Sequence, residues 1–335
     1  MAINTSTATG ISQRTNVYAE RRMLRYAGPH LVLEKFGLAK ELPKNSSSTI
    51  RFRRPVTFAA KTTPLVEGVT PTGTKFSYED VSATLRQYGD VIYVTDVIQD
   101  THEDPVLRDI TQQAGDNIGR TVEQLNFAVV KAGTNVIYAG GATQRSDVVG
   151  KLRKEELRSA IRTLKRNKAL PFTEMIGPGP NYGTQAVEPC YVVVIHVDLE
   201  NDLRQIPGFV PCTQYGRATA KVHEREIGAI EEMRFVCSAD LDPWTGAGGA
   251  TTDMVNTSGQ ADVYPVLVFG KEAWGHVALR GGPSYSAVNP HVHRPTHSPS
   301  DPMAQRGFVS WKFYHAAVRL NEAWMIRIEV AATDI

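Results

Sequence analysis

The sequence predicts an α+β fold, and three observations carry the prediction. A strictly alternating run at residues 49–59 has a second β-rich run at 78–98 to pair with. A single apolar stripe at helical spacing extends from residue 110 to residue 129, and short apolar runs recur through the second half of the chain. With 335 residues and 41% hydrophobic side chains there is material for two ordinary domains or one large one, and disordered, collagen-like and disulfide-scaffold classes are excluded.

The first fifteen residues hold almost nothing to bury and read as an arm, mobile unless a neighbour ties it down. A weak amphipathic stretch with Val17, Tyr18, Met23 and Leu24 ends at Gly28-Pro29, and LPKNSSS at 42–48 is a turn signal. In the run at 49–59, Ile50, Phe52, Val56 and Phe58 share one face, while Arg51, Arg53 and Thr57 share the other. The partner run carries Val81, Ala83 and Leu85 before VIYV, so the two predict a long hairpin. Its tip, residues 60–77, contains Pro64, Gly68, Pro71 and Gly73 and is longer than compact domains usually carry. Arms of about eleven residues reach about 36 Å. Two strands alone are marginal in water, so another surface must cover their apolar face, and a second copy of the chain is the expected supplier.

The clearest helix starts at Asp104-Pro105, a cap followed by a first-turn proline. Ile110, Ala114, Ile118, Val122, Leu125 and Val129 line one face until Gly133 stops it, which makes a beam about 43 Å long. Gly115 and Gly119 inside it cost up to about 1 kcal/mol each, which implies close packing by another segment. A second helix at 151–168 turns Leu152, Leu157, Ile161 and Leu164 inward and ends before Pro171. It carries eight Lys and Arg against two acids, a balance of +6 that leaves −4 for the rest of the chain. Residues 191–196 read as a buried strand, with Asp198 expected to cap a helix through Leu203 and Ile206. Strands follow at 233–237 and 264–269, separated by a Gly- and Thr-rich loop at 244–260. The tail, 307–320 and 324–330, alternates around Asn321-Glu322 and predicts a final hairpin.

The search for chemistry yields little. A net charge of +2 is too small to drive sequence-independent binding to a phosphate backbone. Cys190, Cys212 and Cys237 have no metal-ligand spacing and read as reduced thiols buried like small hydrophobes, in a cytosolic context. No secretory signal or membrane-length apolar run is present, so no membrane partner is expected. GPGPNYG and GAGG lack the residues that would make them phosphate loops, and no GxSxG or HExxH occurs. His291, His293 and His297 crowd into a Pro-rich segment that reads as a surface loop rather than a metal site. The residues therefore point to no catalytic residue, metal or cofactor. The competing reading is a cytosolic α/β enzyme using His196 and Asp198 at a strand end. Arg51, Arg53 and Arg54, with Glu67 and Lys75 near the tip, are the candidate inter-subunit contacts, the arginines toward acidic patches. Arg158, Arg162, Lys165 and Arg166 are candidates to face nucleic acid, against the plainer reading of a solvated helix face.

Several runs carry a family likeness: LPKNSSSTIRFRRPVTFAAKTTPLVEGVTPTG, LRQYGDVIYVTDVIQDTHEDP, KAGTNVIYA, YVVVIHVDLENDLR and SDPMAQRGFVSWKFYHAAVRLNEAWMIRIEVA. Together, from about Tyr18 to the end, they resemble tailed-bacteriophage major capsid proteins of the N-four type, which have the Hong Kong 97 capsid fold. The resemblance implies an N-terminal arm at 1–45, an extended-loop hairpin at 46–100 lying over an adjacent subunit, and a peripheral domain at 101–187 in which the basic helix flanks a spine helix. It further implies an axial domain at 188–291 and C-terminal strands at 292–335 returning to the peripheral domain. The implied function is self-assembly as hexamers and pentamers into an icosahedral head around double-stranded DNA, contacted non-specifically. Portal and scaffolding proteins, and in some relatives a decoration protein, are the implied partners, with assembly in the host cytoplasm and residence in the virion. The short arm carries the expectation that no large scaffolding segment is fused to the chain. The loop at 244–260 and the His-rich segment match nothing in the family pattern.

Overall fold

Two sheets organise the chain, and burial pattern decides which strand joins which. The computed structural model describes residues 31–101, 106–174, 186–215, 221–279, 289–293 and 301–334, apart from positions 44, 46, 57, 66, 69, 71 and 72. The arm at 1–15, the stretch after it, the cap at Asp104-Pro105, GPGPNYG and His297 lie outside the described residues.

The first sheet is built on the longest strand, β16 (Arg306–Arg319). β4 (Arg86–Thr95) pairs along one edge, from Arg306↔Thr95 to His315↔Arg86. β15 (Asn289–His293) and β14 (Trp274–Leu279) follow one another along the other edge, and β1 (Leu38–Leu42) adds in parallel to β14. Period two sets the faces: Val309, Trp311 and Phe313 are buried, while Lys312 and Tyr314 are exposed. The long helix, Val106–Lys131, lies on the buried face through Ala114, Ile118 and Val122.

The second sheet has the order β5-β17-β13-β7-β10-β9-β8, with β6 (Phe172–Glu174) beside β7. Its strands are β5 (Val136–Tyr138), β7 (Ala186–His196), β8 (Val210–Pro211), β9 (Glu226–Ile230), β10 (Met233–Ser238), β13 (Val263–Phe269) and β17 (Met325–Ala331). Every residue of β13 and β17 is buried, as strands covered on both faces are; β13 is an apolar run, while β17 also buries the paired Arg327 and Glu329. Val193, Ile195, Val266, Val268, Ile328 and Val330 face the basic helix, Lys154–Arg166. Their neighbours Val192, Val194, Leu267 and Phe269 face Phe127 and Val130 of the long helix together with Val32, Leu33 and Phe36. The long helix is thus buried on two faces. Its second one, with Glu123, Asn126, Phe127 and Val130, mixes polar and apolar residues and lies off the stripe.

Several expectations change. The run at 78–98 breaks at Leu85: β3 (Tyr78–Thr84) pairs with β2 (Thr49–Pro55), but β4 leaves for the first sheet. The hairpin base also needs no second copy, because Phe52 and Ala83 are buried against Leu42 and Val277 of the same chain. The tail is not a hairpin. β16 is half-buried by alternation and β17 is buried on both faces, so they enter different sheets across the turn at Glu322–Trp324. The basic helix does not flank the long helix; it covers the opposite face of the second sheet. Strands of 188–291 divide between the two sheets, and β17 pairs with β13 rather than joining β16.

The loop at 244–260 is tied down. β11 (Asn256–Thr257) and β12 (Gln260–Ala261) form a small ladder, and Gly249 N–H donates to Val148 O at 3.0 Å. At Gly248 a Cβ would lie 2.5 Å from Val148 O, so only glycine permits that approach. His291 and His293 sit on β15 rather than in a loop, with the His293 ring 5.3 Å from that of Phe308.

Candidate assembly surfaces

The hairpin supplies the first surface. Arg53 Nε donates to Asp80 Oδ1 at 2.9 Å and Arg54 pairs with Glu79, both across the β2–β3 ladder. The Arg53 guanidinium holds the Asp80 carboxyl below its ordinary range, chiefly by that hydrogen bond. Arg53 also lies over the Tyr78 ring at 5.0 Å. Two of the three arginines expected to seek acids on a neighbour are therefore matched within their own hairpin; among the described residues Arg51, Glu67 and Lys75 form no ion pair.

The hairpin's outer part instead displays apolar groups. Val56, Phe58, Leu65, Phe76 and Tyr78 are 46%, 57%, 78%, 48% and 53% exposed, far above the buried residues of the base. Phe76 meets Tyr78 edge-on at 4.6 Å and Phe58 at 5.9 Å, which makes one preformed aromatic cluster rather than scattered side chains. Sequence reasoning ranked charge over these aromatics. The legible signal was the recurrence of Phe58, Phe76 and Tyr78 beside a tip with no partner in its own arms.

The basic helix is the second surface. Arg158 reaches Glu231 Oε1 at 2.6 Å and Lys165 reaches Glu232 Oε1 at 2.5 Å, at the turn joining β9 to β10. Lys154 Nζ donates to Pro207 O at 3.0 Å. The two glutamates, distant in sequence, lower the local balance to +4. Arg158 holds Glu231 below the ordinary carboxylate range. Arg162 and Arg166 are exposed and form no ion pair among the described residues.

The pair raised by the enzyme reading is close in space but wired differently. His196 Nδ1 lies 3.2 Å from Asp198 Oδ2 and accepts the Asp198 backbone N–H at 3.2 Å, so His196, not Asp198, caps the turn after β7. A ring nitrogen that accepts cannot also donate to the carboxylate, which removes the His-to-Asp hydrogen bond that orients a catalytic base. Asp198 accepts the Tyr264 hydroxyl at 2.7 Å, and burial, aided by that bond, raises the phenol well above its ordinary range. The cysteines are free; burial pushes the Cys190 and Cys237 thiols up to about 11. Among the described residues no cluster of three metal-ligating side chains occurs, and no helix is long and apolar enough to cross a membrane.

Comparison with known proteins agrees with this geometry. The curated major capsid protein of Pseudomonas phage KPP21 is 24% identical over 227 residues, 63% of this chain and 57% of that relative, so the match spans little over half of it. The capsid of Ralstonia phage GP4 superposes with a TM-score of 0.66 at 13% identity, covering 98% of this chain and 96% of that one. The cyanophage Pam1 capsid gives 0.63 at 10% identity over the whole of both chains. These structures share the fold. A profile described as phage capsid protein matches residues 78–325, most of the chain, and by that match the chain belongs to the phage capsid protein family.

Proposed function

We propose that the chain is the shell-forming subunit of a tailed-phage head, assembling as hexamers and pentamers into an icosahedral wall around double-stranded DNA. The observation that carries this is the hairpin: a base packed on its own sheet, and beyond it an aromatic cluster about half exposed to solvent. Such a patch gains free energy when a neighbouring subunit covers it, and closed symmetry multiplies many modest contacts into a durable shell. The five-stranded sheet with the long helix corresponds to the peripheral domain, and the eight-stranded sheet to the axial domain at the capsomer centre. Portal and scaffolding proteins are the expected partners during assembly in the host cytoplasm, with a decoration protein as an optional one.

Arg162 and Arg166 are the residues of the basic helix best placed to approach DNA, since Arg158 and Lys165 already hold glutamates. Replacing both with Glu is expected to leave subunit stability unchanged and to lower the salt resistance of the packaged genome. Unaltered genome retention would remove the helix from that role. The shell reading itself is tested by Phe58→Ser with Phe76→Ser, which is expected to preserve the subunit's melting temperature while cutting the yield of sedimenting particles at least tenfold. Full particle yield from that variant would contradict it.

A further inference from the structure

The segment Leu31–Leu42 is seated in an unusual place. Val32, Leu33 and Phe36 are almost fully buried between the second sheet and the long helix. Val32 and Leu33 donate their backbone N–H groups to Glu123, a fully buried carboxyl on the long helix, at 3.0 to 3.2 Å. That carboxyl takes the amide of the cap and the first amide of the short 3-10 turn at Leu33–Phe36. The segment continues as β1, an edge strand whose only ladder among the described residues is with β14, so it can leave without breaking a ladder inside either sheet.

Two buried imidazoles adjoin this seat, and a third stacks behind one of them. His223 lies 5.6 Å from the Phe36 ring, and its Nε2 has no partner among the described residues. His276 Nε2 is 3.8 Å from Glu34, and its Nδ1 likewise has no partner among the described residues. A Cβ at Gly37 would come within 2.9 Å of His276, so the segment passes directly over that ring. His315 stacks on His276 at 6.3 Å and meets Asn126 of the long helix at 2.9 Å. We propose that the segment Leu31–Leu42 is an acid-released strap, held on its seat while these three histidines are neutral and expelled when they gain protons.

The charges facing the histidines support that direction: His223 faces Lys35 and Arg225, both cations, and His315 faces His276. Glu123, raised by burial and facing the acids Asp240 and Glu34, works in the opposite sense, since the docked state takes up its proton as pH falls. Among the described residues Glu34 is the anion nearest His276, at 3.8 Å, beyond hydrogen-bond distance for that pair. Burial holds His223 and His276 down to about 4 and His315 to about 3, against 6.5 for a free imidazole. A released strap exposes His223 and His276 to water and binds more protons there. The histidine contribution to docking is therefore fully present above about pH 6.5 and is lost as pH falls toward about 4. Release would uncover Leu33 and Phe36.

The test is hydrogen exchange on the full chain between pH 7.5 and 4, corrected for intrinsic rates. Peptides covering 31–42 are expected to lose protection at least tenfold below about pH 5 while 263–269 and 325–331 stay protected. His223→Asn with His276→Gln keeps polar groups but not titration, and is expected to move the midpoint down by at least about one pH unit. If that pair leaves 263–269 unprotected at pH 7.5, His223→Asn alone is read instead, with a smaller shift in the same direction. Loss of 31–42 only together with 263–269, or a midpoint that no variant moves, would overturn the proposal.

Discussion

Glu329 has no exposed surface, yet it sits in the central run of β17 among isoleucines and valines. Arg145 grips both its oxygens at 2.7 and 2.9 Å, and Arg327 donates a third bond at 2.8 Å. Arg327 also donates to the carbonyls of Lys131 and Gly133, capping the long helix where its open carbonyls concentrate negative charge. Trp244 lies over Arg145 at 3.6 Å and Lys131 at 4.0 Å. Glu329→Gln leaves two arginines without their anion and is expected to cost about 3 kcal/mol in urea unfolding of the subunit. Glu123 makes a prediction of opposite character. Burial raises it to about 8 from 4.5, so the folded subunit binds the extra proton and loses stability as pH rises from about 4.5 toward about 8. Glu123→Gln should flatten that slope in a pH series of melting temperatures; a slope equal to wild type would show that Glu123 does not set it.

At the scale of the element, the basic helix separates what holds a structure from what decorates it. Leu164 is fully buried against the second sheet, and Leu164→Ala is expected to destabilise the subunit by about 2–5 kcal/mol. Glu232→Ala, which removes the exposed partner of Lys165, should cost under about 1 kcal/mol. Equal losses from the two would contradict this division. The long helix, the basic helix and the β2–β3 ladder were legible because each writes its period into consecutive residues. The pairings of β4, β16 and β17 were not, since an alternating strand and a doubly buried one can sit side by side in sequence and belong to different layers. Charge misled for the same reason: Glu231 and Glu232 neutralise Arg158 and Lys165 from more than sixty residues away.

For the whole molecule, near-neutral charge and an average composition gave no functional site, and a shell subunit requires none. What was readable from sequence was the resemblance and the projecting hairpin. What was not was the part of the hairpin that the subunit leaves exposed, because Phe52 and Phe58 look alike in the alternation and differ only in whether the chain's own sheet reaches them. The most direct measurement is electron microscopy of the full chain overexpressed in a bacterial host. The account predicts closed shells of hexamers and pentamers, with the 56–78 tip of each subunit against its neighbour. Discrete small oligomers alone, with the aromatic tip still exposed to solvent, would contradict it.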